Sequence, residues 1–303
     1  LVILIMFKNF SYLYNKFIDY FLYKALKKKL KKHINLYPNI SARVFDIINL
    51  KINLSGRFEN SELITLRKKV FNKINSKKFN ALDIGANIGN HSVFFADDFL
   101  QVYSFEPLTQ NFDLLKINSK LKKNITVFNV AASDKDESKI ISFPSSIDLG
   151  HSKIVEDSEF IYNKSEKIQA KNLDILLRDN NIEKIRFIKI DVEGFEFRVL
   201  KGLKDTLRVQ KPVIAFEQFP SDFKNESTNS INFLKNQNYN YFYEPFFRER
   251  QKSDNKVLNA ANKILYFISI IFFKKKEFYD LKKLKKFKVK HYPMIIASVE
   301  KLD

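Results

Sequence analysis

The residues able to do chemistry in this 303-residue chain sit where short apolar runs stop. One run leads straight into DIGANIG (83–89), with a helical pattern from Asn90. Gly85 and Gly89 let the backbone turn sharply and approach a ligand, and the following helix start offers amides and a positive dipole end. Asp83, at the end of that run, could accept from a ligand ammonium. A plain strand–helix turn would have the same glycines, and the spacing is not that of G-x-G-x-x-G. The next run ends in FEP, with Glu106 placed 23 residues after Asp83. An acid there can accept from both hydroxyls of a ribose, in nicotinamide and S-adenosylmethionine (SAM) enzymes alike. A third run ends in AASDKD (131–136), where Asp134 is either an adenine contact or a turn aspartate. The fourth, FIKIDVEGFEFRVLKGL (187–203), sets Asp191, Glu193 and Glu196 after a strand, Glu196 being explained by the first turn of a helix.

Positioning these groups takes alternating strands and helices. Six strand-like runs end at 86, 107, 133, 191, 218 and 245, and helical patterns fit between them at 90–96, 108–119, 171–180, 194–207 and 227–237. Such alternation predicts a doubly wound, mostly parallel sheet, whose ligands bind beyond the carboxyl ends of its strands. Residues 1–33 read as an amphipathic basic helix, and 34–79 as an approach segment with a strand and turn at 51–58 and a helix at 59–74. Residues 80–303 form the main domain, interrupted by a basic stretch at about 246–291 and closed by the strand-like PMIIASVE (293–300).

Taken in order and spacing, DIGANIGNHS, FEPLTQNFDLL, AASDKDE and FIKIDVEGFEFRVLKG resemble the FkbM-type family of SAM-dependent methyltransferases over roughly residues 80–245. The resemblance implies a class I methyltransferase fold: a Rossmann-like α/β sheet of seven strands with helices on both faces, the last strand antiparallel, here with basic helical additions at both ends. It also implies SAM as cofactor and a hydroxyl of a sugar, glycan or lipid-linked small molecule as acceptor. Asp83, Gly85 and Gly89 would hold the methionine part, with Asn87 in the same loop, Glu106 the ribose, and Asp134 the adenine. Asp191 and Glu193 would face the methyl and the acceptor, either one serving as general base. Alternatively Asp191, Glu217 and Gln218 could bind a divalent cation. His151, in the loop GHSK (150–153), is a second base candidate, and His91 is as readily a structural histidine.

Composition narrows the alternatives. With no Cys there is no thiolate nucleophile, thiolate-held zinc, iron–sulfur cluster or disulfide, so methylation of a pyrimidine carbon and radical SAM chemistry are disfavoured. Where an exocyclic-amine methylase carries an Asn/Asp-Pro-Pro-aromatic motif, the chain reads DVEG. The net charge is +19, of which residues 1–33 carry +7 and 246–303 carry +9. An RNA methyltransferase, or a basic membrane- or nucleic-acid-binding protein on a vestigial fold, would use those ends; intact acids at each strand end favour the enzyme, and nucleic acid rests on charge alone. Aromatic residues next to lysines in 1–33, and the run ILYFISIIFF (264–273) followed by KKK, instead predict peripheral contact with an anionic membrane. The start LVILIMF, with Met6 as an alternative first residue, is too short to span and has no signal-peptide flanks. The expected location is cytoplasmic, including the inner membrane face.

Overall fold

The computed structural model describes residues 2–44, 46–143, 153–155, 164–247 and 279–302. The chain opens with α1 (Val2–His33), α2 (Ile47–Ser55) and α3 (Asn60–Leu66), the last continuing as a wider turn through Phe71. The sheet begins with β1 (Asn80–Ile84), α4 (Asn90–Phe95), β2 (Val102–Phe105), α5 (Thr109–Ser119) and β3 (Ile125–Phe128). Four strands then form a separate small sheet: β4 (Ala131–Ser133), β5 (Glu137–Phe143), β6 (Lys153–Val155) and β7 (Lys164–Asn172). The main sheet resumes with α6 (Leu173–Asp179), β8 (Ile185–Ile190), α7 (Glu196–Gly202), α8 (Lys204–Gln210) and β9 (Val213–Gln218). A short hairpin, β10 (Phe223–Lys224) and β11 (Ser227–Thr228), precedes α9 (Asn229–Asn236), β12 (Tyr241–Phe247), β13 (Tyr279–Lys283) and β14 (Tyr292–Ser298).

The main sheet runs β13-β12-β14-β9-β8-β1-β2-β3. From β3 to β9 every pairing is parallel, while β14 lies antiparallel between β9 and β12. That is the class I methyltransferase arrangement, with PMIIASVE supplying the antiparallel strand. The sheet has eight strands where seven are expected, because residues 279–283 of the basic stretch pair as an edge strand on β12. The run ITVFNVAAS is likewise two strands: β3 stays in the main sheet, while β4 turns away to pair with β7. Of the strand and turn expected at 51–58, residues 51–55 are helical instead, the end of α2. Asp46 caps α2 by accepting from Ile48 N at 2.7 Å, and Gly56, at φ 87°, closes it with its amide on Ile52 O. The helix expected at 194–207 is two, broken at Leu203. His151 and residues 264–273 lie outside the described residues.

Alternation along the central strands makes two cores. Leu82, Ile84, Ile188, Ile190, Ile214 and Phe216 pack with α6 to α9 on one face. Ala81, Phe187, Val213 and Ala215 pack on the other against α3, its extension and α4, where Phe71, Phe95, Phe99 and Phe187 meet edge-on or stacked. Burial on both faces explains why β9 opens as the unbroken apolar run VIAF, and why every residue of β1 is buried. Among the described residues, no helix is long and apolar enough to cross a membrane.

Candidate functional site

The cavity lies beyond the carboxyl ends of β1, β2, β8 and β9, with a volume of about 420 Å³, in the range that takes a nucleoside-sized ligand. Its floor is the 83–89 loop. Gly85, Asn87 and Gly89 all have positive φ (75°, 51° and 87°), so the backbone turns at every second residue. Asn87 thus acts through its main chain: its N–H donates to Glu106 Oε2 at 2.9 Å, tying the loop to the end of β2. Glu106 Oε1 accepts from Leu108 N (3.1 Å) and Asn111 Nδ2 (3.3 Å), and Arg43 donates to Asn111 Oδ1 at 2.9 Å. Burial pushes the Glu106 carboxyl up to about 7, despite these donors. Next to it, Val130, Ala131, Ala132, Ile141 and Ile154 form an apolar slot, the last four from the small sheet.

Three carboxylates close the far end. Ligand atoms of Asp191, Glu193 and Glu217 all lie within 4.8 Å of one another. Asp191 and Glu193 follow β8, and Glu217 is the penultimate residue of β9. Lys189 Nζ, fully enclosed under this cluster, sits 3.0 Å from Asp191 Oδ2 and 3.7 Å from Asp83 Oδ1. Burial raises the Asp191 carboxyl, but the ammonium beside it wins and holds it below the usual carboxylate range. Glu217 goes the other way: burial first, then the neighbouring charge of Asp191, push it up to about 10. A protonated Glu217 can therefore donate to Asp191 while His291 Nε2, 2.6 Å from Glu217 Oε1, donates to its other oxygen.

Of the residues expected from the sequence, Gly85, Asn87, Glu106, Asp191 and Glu193 line the cavity. Asp83 lies beneath it, fully buried, accepting from Ser92 Oγ at 2.5 Å and facing Lys189, so its charge acts on the lysine. Gly89 starts α4 behind the loop. Asp134 is turned away from the cavity onto Lys201 (2.6 Å) and Arg198 (3.2 Å), whose charges overcome its burial and hold its carboxyl low. Gln218 is also turned away, its amide on Asp222 and its oxygen accepting from Thr228, so Glu193 occupies the place proposed for it in a cation set. His91 is buried on the cavity wall, stacked on Phe95 with Nε2 3.2 Å from Glu59 Oε2.

Sequence reading passed over Lys189, His291, Asn111 and α2. Lys189 left a signal, since a lysine inside the otherwise buried apolar strand IRFIKI needs a charged partner. His291 left none, because it meets Glu217 only through the placement of β14 beside β9.

These are the parts of a methyl-transferring enzyme, and the comparisons with known proteins agree. A family model described as "Methyltransferase FkbM domain" matches residues 83–241, just over half of the chain, which therefore belongs to the FkbM methyltransferase family. The methyl donor of the family is SAM. Over 131 residues the chain is 33% identical to the hexuronic acid methyltransferase AglP of Haloferax volcanii, covering 42% of this chain and 50% of that protein. The chain thus spans about half the length of the curated relative it matches. Among solved structures, the methyltransferase FkbM of Methylobacillus flagellatus KT is 19% identical with a TM-score of 0.36, over 64% of this chain and 47% of that one. A Streptococcus mutans protein crystallised with S-adenosylhomocysteine (SAH) is 12% identical with a TM-score of 0.37, over 78% and 97%.

The donor set of the cavity fits SAM. The Glu106 carboxylate has the chemistry to accept from a diol, the apolar slot suits a flat base, and the glycine loop leaves room for main-chain contacts.

Proposed function

We propose that this protein is a SAM-dependent O-methyltransferase acting on a hydroxyl of a sugar, glycan or lipid-linked sugar, with Asp191 as general base. The observation that carries this reading is the meeting of Asp191, Glu193 and Glu217 at the cavity end opposite Glu106. Carboxylates are the acceptors that a polyhydroxyl ligand needs, and the name of the Haloferax volcanii relative supports a sugar acceptor.

When bound, SAM supplies an electrophilic methyl group on a sulfonium. The protein's share is to orient the acceptor and take its proton. Glu106 would hold the ribose and the 85–89 loop the methionine part, with Val130, Ala132 and Ile154 around the adenine. The acceptor O–H donates to Asp191, whose carboxylate Lys189 keeps ionised, and the proton ends on Asp191. Glu217 and His291 fix the direction of the Asp191 oxygens from the opposite side.

The test is transfer of a labelled methyl group from SAM to a panel of neutral and uronic sugars. Label in a base-stable ether supports the reading. Label in a base-labile ester, or in RNA only, overturns it. A second reading, a divalent cation on the same three carboxylates, is favoured by their spacing; Lys189 already supplies positive charge there, so activity is expected to survive EDTA. Loss of activity with EDTA and its return with magnesium would put the cation in place of the base.

Cofactor affinity is expected to depend on pH through Glu106. Its carboxyl, pushed up to about 7, loses its charge as the pH falls, and a neutral acid is a poorer acceptor for two hydroxyls. SAH binding measured by calorimetry should weaken by up to about tenfold from pH 8 to pH 6. Glu106→Gln should bind more weakly at pH 8 and show a flat profile. A wild-type profile as flat as the variant's would remove Glu106 from the ribose site.

A further inference from the structure

We infer that α1 seats this chain on an anionic lipid surface, with its aromatic segment in the headgroup boundary and its lysines on lipid phosphates. This rests on the helix alone and is independent of the acceptor proposed above. Between Tyr12 and Lys32 every residue but Ile18 and Leu26 is exposed. Tyr12, Leu13, Phe17, Tyr20, Phe21 and Tyr23 are each 54–64% exposed. Of 22 large apolar side chains exposed among the described residues, 15 fall between Tyr12 and Leu54, so the exposed apolar surface of the described residues is concentrated in the N-terminal segment.

The arrangement of these residues favours lipid over other partners. The one-faced amphipathic helix expected for residues 1–33 is not what forms: at 100° per residue the side chains from Tyr12 to Tyr23 point all around the axis, leaving no single seam for a second helix of the same kind. Polarity is divided along the helix instead: six lysines and no acid lie between Lys24 and Lys32. Lys16, Lys24 and Lys27 lie over the rings of Tyr12, Tyr20 and Tyr23 at 5.4–5.7 Å, placing ammonium groups beside rings that suit the membrane interface. Phosphates of RNA would also meet the lysines, but the exposed Leu13, Leu22, Ile34 and Leu36 have no use there, and the first arginine is Arg43. Membrane lipid satisfies both halves.

Docking also bears on the cavity. The base of α1 is tied to α2, where Lys29 and His33 reach Leu54 O at 3.1 and 3.4 Å. The same short helix supplies Ile47, Ile48 and Lys51 to the cavity wall and leaves Ile47, Leu50 and Leu54 exposed. A chain held through α1 therefore presents the α2 side of its cavity toward the lipid.

The experiment is co-sedimentation of the full chain with vesicles of phosphatidylcholine, alone or mixed with phosphatidylglycerol. Partitioning onto the anionic vesicles should exceed that onto neutral ones by about tenfold or more and fall as salt is raised. Two variants, Phe17→Ser with Phe21→Ser, and Lys27→Gln with Lys28→Gln, Lys31→Gln and Lys32→Gln, should each lose about tenfold while keeping the wild-type melting temperature. Sedimentation with neither vesicle, or binding unchanged in both variants, overturns the inference. So does a concentration-dependent dimer that Phe17→Ser with Phe21→Ser dissolves, or displacement from anionic vesicles by a short RNA at equal phosphate.

Discussion

Asp191→Asn is expected to lower turnover by about a hundredfold or more while leaving SAH affinity within about threefold of wild type. The amide keeps the shape of the side chain and can still accept from Lys189, so the cavity should hold. What is lost is the charge that receives the acceptor's proton. Glu217→Gln is the contrasting change. Its carboxyl is pushed up to about 10 by burial and by Asp191, so it is neutral at pH 7 and already acts as a donor. An amide can take over that donation, and turnover should fall by about threefold at most. Single-turnover rates together with calorimetric SAH affinities separate the two. If Asp191→Asn turns over at nearly the wild-type rate, Asp191 is not the base. If both variants fail equally, the pair works as one unit and the proton is not assigned to Asp191 alone.

Gly85→Ala should remove cofactor binding and turnover together, and lower stability by about 3 kcal/mol or more. Two causes add. At φ 75° an alanine is strained by about 1 kcal/mol relative to glycine. Its Cβ would also land on the main-chain carbonyl oxygen of Asp191, which has no flexible end to move aside. The ladder between β1 and β8, where Asp191 N donates to Ile84 O at 3.0 Å, would have to open at the point where the two halves of the site meet. Gly194→Ala is the control, because φ is 104° there but nothing lies within 4 Å of the added carbon. It should cost only the conformational part, about 1 kcal/mol, by denaturant unfolding. Equal losses in the two variants would mean that the contact with Asp191 O contributes nothing.

Local pattern carried the fold wherever burial was uniform. The runs of β1, β2, β8 and β9 were legible as strands because they are buried on both faces and stop near an acid, a glycine or a proline. Residues 51–58 misled, since K-I-N-L alternates like a strand; the capping pair Asp46 and Gly56 was the better signal. The small sheet was not foreseen, although ESKIISF and KSEKIQAKN contain alternating stretches, because pairing between β5 and β7 spans a long excursion. In the site, glycines and strand-end acids announced themselves by position. The partners that set their protonation, Lys189 and His291, depend on which strands are neighbours, and that is a property of topology.

The position of β14 has a consequence for how the chain folds. It is the last strand in chain order, yet it fills the gap between β9 and β12. Until it arrives, those two strands have open edges and no partner in each other. Its segment also brings in His291, and the adjoining Leu302 receives Lys73 Nζ at 2.5 Å through its carbonyl and gives its amide to Tyr243 at 3.0 Å. Closure is therefore a non-local event joining residues 229 apart, of the kind that slows folding and exposes sticky intermediates. A chain cut before Tyr292 would keep every residue of the glycine loop and the carboxylate cluster, yet its central sheet would be split and its two unpaired edges open to the nearest neighbour.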